Sequence, residues 1–260
     1  MKALVLAAGQ GSRLRPLTDD RPKVLVELLG RSLLAHQLDV FAACGIDEVA
    51  VVGGYKIEQI QAQGLECYAN ARYETTNMVE SLLAAREFLA GDSDVIISYG
   101  DIVYEADNLR QLMKSDADVA LMVDMNWRTY WQQRMDDPLR DAETFKFKDD
   151  DRVAELGKKP ESYDDIEAQY TGLIKISASA LPRLLAFYDA LDQSARYDGQ
   201  DFNNMYMTSF LQLLIDAGWN VEGVRVAGGW LEVDTTGDLA LYERLASNGE
   251  LDQFCKLESS

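Results

Sequence analysis

Short apolar runs alternate with amphipathic stretches along the first half of the chain. Apolar runs of strand length lie at 2–7, 47–54, 65–70, 93–101 and 117–125. Between them, apolar residues at helical spacing predict helices at 31–45, 55–63, 78–91 and 107–115. Strands that alternate with helices of about a dozen residues are typical of a parallel sheet covered on both faces. We therefore predict an α/β fold with a doubly wound, mostly parallel sheet.

The regular alternation of predicted strands and helices ends after residue 125. Residues 127–168 are first aromatic and then heavily charged, with short strand-like pieces only at 144–148 and 152–156. Strands are predicted again at 168–177, 220–227 and 229–234, and helices at 178–191, 202–218 and 238–247. No repeat or Pro/Gly-rich linker divides the chain. We predict one domain, 1–260, with an α/β half at 1–125 and a mixed α+β, lid-bearing half at 126–260.

Composition narrows the class of protein. The 260 residues are 47% hydrophobic, which is ample for a buried core, and no apolar run approaches the length of a membrane helix. The apolar run at 3–8 is followed at once by arginines, so it is interpreted as a core strand and not a secretion signal. Three widely spaced cysteines predict neither a disulfide framework nor a zinc site. We expect a cytoplasmic protein without membrane insertion.

Charge is distributed unevenly. The net charge is −19, which disfavours nucleic acids and anionic membranes as partners of the surface as a whole. Residues 1–26 nevertheless carry five basic side chains against two acidic ones. A local positive patch on an acidic body indicates a small polyanionic ligand held at one place. The alternative is a set of ordinary solvated charges.

A basic, glycine-containing loop follows the first predicted strand, in the stretch LAAGQGSRLRPLTDDRPK at 6–23. It lacks the P-loop string, and Leu14 stands where a Rossmann dinucleotide loop needs its third glycine. Gly9 and Gly11 would let backbone N–H groups approach phosphate oxygens. Arg13 and Lys23 could bind phosphate oxygens. The loop therefore predicts a phosphate site.

The same stretch resembles the signature of the nucleotidyltransferases that activate sugar phosphates and phosphocholine, L-A-x-G-x-G-x-R-L-x-P-L-T followed by P-K. Every defined position from 6 to 23 matches. The resemblance implies a Rossmann-like nucleotidyltransferase fold, with a nucleotide-binding half at 1–125 and an acceptor-binding half at 126–260. It implies that Arg13 and Lys23 are catalytic. It also implies that a nucleoside triphosphate is bound by Leu6, Ala7, Ala8, Gly9 and Gly11.

A Mg²⁺ site is implied by the same resemblance. In this family two acids hold a divalent cation, and the matching positions are Asp101, at the end of a central strand, and Asp234, in a late strand. Two carboxylates from distant segments suit a hard cation that also takes phosphate oxygens. For each aspartate alone, a strand-end or turn role is the alternative.

The implied reaction is attack of an acceptor phosphate on the α-phosphorus of the triphosphate, with release of pyrophosphate. An ionised phosphate needs no general base. A chain with one histidine, His36, which we interpret as structural, is compatible with that chemistry.

Residues 73–104 are similar to the phosphocholine cytidylyltransferase branch, and the Q-x-G-T/P-A loop of the sugar enzymes is absent. The resemblance implies that Asn77 and Ser81 read a pyrimidine edge, with helix capping as an equal alternative. It places Gly54 at the base or ribose pocket. CTP is therefore the favoured nucleotide.

The acceptor half offers candidates of weaker specificity. The stretch ELGKKP resembles a sugar-enzyme motif, but its glutamate is displaced to Glu155, which weakens a sugar-1-phosphate assignment. The aromatic residues Trp127, Tyr130 and Trp131 either cradle an ammonium group by cation–π contact or simply pack the second half. The candidate acceptor contacts are Glu155, Lys158, Tyr170 and Glu232.

The sequence favours Mg²⁺-dependent, CTP-dependent cytidylyl transfer to a small phosphorylated amine or alcohol such as phosphocholine. Two alternatives stay open, a sugar-1-phosphate nucleotidyltransferase and a non-catalytic nucleotide-binding regulator. The oligomeric state is not readable from the chain.

Overall fold

A computed structural model describes residues 1–148 and 150–257. The strands are β1 (Lys2–Ala7), β2 (Val49–Gly53), β3 (Glu66–Ala69), β4 (Val95–Tyr99), β5 (Ile102–Tyr104), β6 (Val119–Asp124), β7 (Phe145–Phe147), β8 (Val153–Leu156), β9 (Gln169–Ile176), β10 (Val221–Val226) and β11 (Trp230–Glu232). Two-residue ladders also pair Glu27–Leu28 with Arg31–Ser32, and Arg196–Tyr197 with Gln200–Asp201.

Helices fill the connections between these strands. The α-helices are α1 (Leu33–Ala43), α2 (Ile57–Gln61), α3 (Met78–Ala84), α4 (Arg86–Leu89), α5 (Ala106–Met113), α6 (Trp127–Arg134), α7 (Leu181–Asp189), α8 (Met207–Asp216) and α9 (Thr236–Ser247). Short 3₁₀ turns lie at Ser12–Leu14, Lys23–Leu25, Pro138–Arg140, Tyr163–Asp165, Phe202–Asn204 and Leu251–Gln253. None of the described helices is long and apolar enough to cross a membrane.

A seven-stranded sheet with the order β10-β6-β9-β4-β1-β2-β3 forms the centre of the fold. All neighbours are parallel except β9, which runs antiparallel to both β4 and β6. The predicted doubly wound, mostly parallel sheet is therefore confirmed. Strands from both halves of the chain share this sheet, and β9 inserts a late strand beside the central one.

Both faces of the sheet are buried, as its sequence pattern predicts. In β1, Val5 packs into the apolar cluster that includes α1 and α9, whereas Leu4 packs into the cluster that includes α3 and α8. Successive strand residues point to opposite faces, so a strand covered on both sides is apolar throughout. All six residues of β1 are buried.

The parallel register brings several strand ends to one edge. Ala7 is the partner of Gly53 in β2, and Leu6 is the partner of Tyr99 in β4. The loop after β1 and the turn after β4 therefore leave the sheet side by side, at the edge where ligands bind in open α/β sheets.

Two local predictions were wrong. The helix predicted over 78–91 is two helices, because the Ala85 N–H bonds to the carbonyl of Leu82 in a tighter turn. Residues 127–134, which were not predicted to be helical, form α6. Trp127, Tyr130 and Trp131 have helical spacing, but they span only five residues. That is little more than one helical turn, which is too short for hydrophobic periodicity to distinguish a helix from a loop.

Candidate active site

The loop after β1 folds over the segment that carries Lys23. Gly11 has φ +65°, and a Cβ there would lie only 2.8 Å from the Lys23 Cβ. The Thr18 hydroxyl donates to the Gly11 carbonyl at 2.8 Å, and Leu14 is fully buried beneath the loop. Glycine is therefore needed at 11 both for the left-handed backbone and for the close approach of lysine.

The end of β2 supports this loop from the side. A Cβ on Gly54 would lie 2.7 Å from the Ala8 carbonyl, so the missing side chain permits close packing of the two backbones. The Tyr55 N–H donates to the same carbonyl at 3.0 Å, and the Tyr55 hydroxyl donates to the Asp19 carbonyl at 2.9 Å. These contacts fix the loop between residues 8 and 19.

Lys23 joins two carboxylates from distant parts of the chain. Its Nζ donates to Asp101 Oδ2 at 2.9 Å and to Asp234 Oδ1 at 3.0 Å. Arg13 pairs with the other oxygen of Asp234. Burial lowers the pKa of Lys23, but the two carboxylates outweigh that effect and the net pKa is raised. The ammonium group is therefore charged, and it neutralises part of the repulsion between the aspartates.

One antiparallel ladder and a backbone hydrogen bond beyond it bring the aspartates together. Strand β11 pairs antiparallel with β5, which follows Asp101 directly, and the Val233 N–H donates to the Asp101 carbonyl at 2.8 Å. Thr235 then caps α9, so Asp234 occupies the short turn between a strand and a helix. The two aspartates, which the family resemblance places at one site, lie together in the structure, where both contact Lys23 Nζ.

The aspartates fit a divalent cation in one further respect. Asp101 Oδ1 is buried and has no hydrogen-bond partner, although the other oxygen of the carboxylate is bound to Lys23. A buried, unpartnered carboxylate oxygen is costly unless a cation or donor meets it. Among the described residues, no group of three or more His, Cys, Asp or Glu side chains is arranged to hold a metal. Two carboxylates would leave room for phosphate oxygens and water around a hard cation.

The glycine-loop cavity, of about 280 Å³, opens beside these carboxylates. Half of its lining residues are glycine, alanine or serine, whose small side chains suit close approach of a polyanion. Its lining residues are Leu6, Ala7, Ala8, Gly9, Gly11, Ser12, Arg13, Lys23, Val24, Met78, Ser81, Gly100, Asp101 and Asp234.

The aromatic cavity, of about 240 Å³, adjoins the first one across Met78, which lines both. It combines aromatic rings with three acids. Its lining residues are Met78, Tyr99, Ile102, Trp131, Asp141, Glu143, Gln169, Tyr170, Thr171, Gly172, Tyr206, Met207, Thr208, Trp230 and Glu232. Trp131 therefore faces the cavity, whereas Trp127 and Tyr130 are buried in the apolar core beside it.

Not all of the sequence candidates reach a cavity. Asn77 caps α3, where its side chain accepts the Met78 N–H at 2.8 Å, and it is not a lining residue of the glycine-loop cavity. Ser81 does line that cavity and accepts a hydrogen bond from Asn70 at 3.0 Å.

The acceptor candidates divide in the same way. Tyr170 and Glu232 line the aromatic cavity. Glu155 and Lys158 are not among its lining residues and instead pair with each other at 2.7 Å. His36 is buried, with its Nε2 3.0 Å from the Leu28 carbonyl, a contact that fits a structural role.

Glu143 was missed by the sequence analysis. Desolvation by the surrounding protein raises the pKa of its carboxyl to about 7, and the nearby charges of Asp141 and Glu232 act in the same direction. It lies in a charged, irregular stretch between α6 and β7, where nothing in the local sequence separates it from neighbouring surface acids. Gly100 was also missed, although its place directly before Asp101 was a usable signal.

A cavity of about 280 Å³ lies under a glycine loop at the edge of an α/β sheet and is lined by two carboxylates and two cations, a combination that suits phosphate groups and a divalent cation. Comparison with known families agrees: residues 3–196 match the model of the MobA-like NTP transferase domain. The chain belongs to that family and is a nucleotidyltransferase of the cytidylyltransferase-like branch.

One sequence relative supports the branch, and two solved structures support the fold. The chain is 42% identical over 249 residues to the CTP:phosphoglutamine cytidylyltransferase of Campylobacter jejuni, covering 92% of this chain and 98% of that protein. Its fold is similar to the inositol-1-phosphate CTP transferase from T. maritima, with a TM-score of 0.72 and 20% identity over 98% of this chain and 97% of that one. It is also similar to CTP:phosphocholine cytidylyltransferase from Streptococcus pneumoniae, with a TM-score of 0.69 and 22% identity over 94% and 98%.

Proposed function

We propose that this protein transfers the cytidylyl group of CTP to a small phosphorylated acceptor that carries a cationic nitrogen, in a Mg²⁺-dependent reaction. The observation that carries the proposal is the position of Lys23 between Asp101 and Asp234, at the mouth of the glycine loop. Lys23, Asp101 and Asp234 come from distant segments of the chain and meet there, beside the glycine-loop cavity.

In the proposed reaction the acceptor phosphate attacks the α-phosphorus of CTP, and pyrophosphate leaves. The nucleophile is already ionised, so the protein has to bring two polyanions together and not to remove a proton. Lys23 and Arg13 would bind phosphate oxygens and offset the repulsion between the reactants. The backbone around Gly9 and Gly11 would hold the leaving pyrophosphate.

Asp101 and Asp234 would hold the Mg²⁺ ion, and the unpartnered Oδ1 of Asp101 supports that assignment. When bound, Mg²⁺ neutralises negative charge on the phosphate oxygens. Lys23 would then exchange part of its contact with the carboxylates for contact with phosphate.

The acids of the aromatic cavity support a cationic acceptor. Asp141, Glu143 and Glu232 line this cavity, and of the three only Glu232 pairs with Arg134, whose guanidinium is shared with Asp238. Glu143 forms no ion pair among the residues that the structure describes. Trp131 supplies an aromatic surface beside these acids. Phosphocholine and phosphoglutamine, the compounds in the names of two relatives, both bear a cationic nitrogen.

Pyrophosphate release with CTP, UTP, dTTP and ATP against phosphocholine, phosphoglutamine and glucose 1-phosphate tests the proposal. We expect release with CTP and one or both of the cationic acceptors. Release only with glucose 1-phosphate would establish the sugar-1-phosphate alternative. No release with any pair would favour a nucleotide-binding regulator.

A further inference from the structure

The guanidinium of Arg134 lies between two acids that belong to different parts of the site. Arg134 is the last residue of α6, and only 4% of its side chain is exposed. It packs against the rings of Tyr130 and Trp131, at 5.4 Å from each centroid. A charge buried to this degree is costly unless its donors are all used, so its partners are informative.

The two partners are Glu232 and Asp238. Arg134 Nη1 donates to Glu232 Oε2 at 2.6 Å, and Arg134 Nε donates to Asp238 Oδ1 at 2.9 Å. Glu232 faces the aromatic cavity, whereas Asp238 is buried and is not one of that cavity's lining residues. One rigid guanidinium plane therefore fixes both carboxylates at once.

Asp238 in turn fixes the turn that carries Asp234. Its Oδ2 accepts hydrogen bonds from the Asp234 N–H at 3.0 Å and from the Thr235 N–H at 2.8 Å. Asp238 is therefore the hydrogen-bond acceptor that joins Arg134 to the backbone of a proposed metal ligand.

Glu232 is held just as firmly at its backbone. Its N–H donates to the Tyr130 hydroxyl at 2.8 Å, and its carbonyl accepts from the Tyr242 hydroxyl at 2.7 Å. With the backbone anchored, any change in the position of the Glu232 carboxylate has to be matched by the guanidinium that it contacts.

We propose that Arg134 is a positioning residue that couples acceptor binding at Glu232 to the alignment of Asp234, an inference that rests on the function proposed above. An acceptor that attracts the Glu232 carboxylate moves the guanidinium, and the guanidinium moves Asp238 and the turn behind Asp234. Lysine cannot replace this arrangement, because one ammonium group lacks the planar fork that binds both carboxylates.

Arg134→Lys keeps the charge and is the principal variant. We expect the acceptor KM to rise about tenfold, and the affinity of the nucleotide-free protein for Mn²⁺, measured by EPR titration, to fall about tenfold, as is usual when a metal ligand loses its outer support. The acceptor is phosphocholine or phosphoglutamine, whichever the wild-type protein uses faster. Arg183→Lys is the matched control, because Arg183 also stacks on an aromatic ring, Trp219, and pairs with an acid, Asp118, at 2.8 Å.

A double-mutant cycle with Asp238→Asn tests the coupling itself. Asp238→Asn alone should raise the acceptor KM several-fold, although Asp238 does not line the aromatic cavity. In the Arg134→Lys protein the same substitution should change that KM less than twofold. If the two substitutions act independently, so that their fold-changes in KM multiply, the coupling is overturned. It is also overturned if the KM and Mn²⁺ affinity of the Arg134→Lys protein equal those of the Arg183→Lys control.

Three other experimental outcomes bear on different parts of the hypothesis. A wild-type protein that releases no pyrophosphate refutes the proposed function before the cycle begins. A wild-type protein that turns over CTP but binds no Mn²⁺ refutes the metal assignment, while the cycle on KM still tests Arg134. If Arg134→Lys does not fold, Glu232→Gln replaces it in the cycle, and additivity with Asp238→Asn again overturns the proposal.

Discussion

Replacement of Gly11 by alanine tests whether the glycine loop sets the position of Lys23. Gly11 has φ +65°, a conformation that costs a non-glycine residue ~1–2 kcal/mol. At roughly 2–4 °C per kcal/mol for a chain of this size, the melting temperature should fall by about 2–8 °C. Because a fall in melting temperature does not report on the position of Lys23, the effect of the substitution on catalysis has to be measured as well.

The second consequence comes from the contact with Lys23. The new Cβ would lie 2.8 Å from the Lys23 Cβ, where ordinary contacts begin at 3.4 Å, so one of the two must move by about 0.6 Å. The Nζ bonds of 2.9 and 3.0 Å to Asp101 and Asp234 would lengthen toward the limit of hydrogen bonding. Misplacement on this scale costs about 10²-fold in rate. We therefore expect kcat/KM to fall about 10²-fold.

Gly64→Ala is the matched control. Gly64 has φ +80° and no atom within 4 Å of the position of a new Cβ, so it has the same backbone strain without the contact. Thermal unfolding and pyrophosphate release are measured on both variants. Both should lose stability, and only Gly11→Ala should lose activity. Equal kcat/KM in the two variants would refute the claim that the loop positions Lys23.

Three further predictions follow from individual side chains. Asp101→Ala should lower turnover by about 10³-fold or more with little change in folding, because it removes a proposed metal ligand and one partner of Lys23; substantial activity in that variant would refute the metal assignment. Glu143→Gln should raise the KM of a cationic acceptor about tenfold at pH 8 and much less at pH 6, because the raised pKa of about 7 leaves the wild-type carboxyl mostly protonated at the lower pH. Glu155→Gln should change stability by less than ~1 kcal/mol and leave acceptor KM unaltered, because its pairing with Lys158 is partly exposed; a raised KM would restore the acceptor contact that the sequence predicts.

The sequence by itself was sufficient to predict a mostly parallel sheet and a glycine loop after its first strand. Strand β1 is apolar at every position from Ala3 to Ala7 because both of its faces are covered, and that pattern is visible without any knowledge of the partners. The spacing of Gly9, Gly11 and Arg13 likewise depends on a few adjacent residues, whose local chemistry limits what the loop can do. Signals of this kind act over short stretches of chain, so a single sequence contains them.

Only the tertiary structure decided which other side chains share the site. Arg134 meets Glu232 and Asp238 across separations of 98 and 104 residues, and no local sequence pattern distinguishes this buried arginine from the exposed ones. Glu143 looks like any acid of a charged stretch until β9 and β11 form the cavity around it. Glu155 and Lys158, two of the four acceptor candidates from the second half, form a local pair instead. Burial and shifted pKa values arise from contacts between distant segments, and those contacts exist only after the chain has folded.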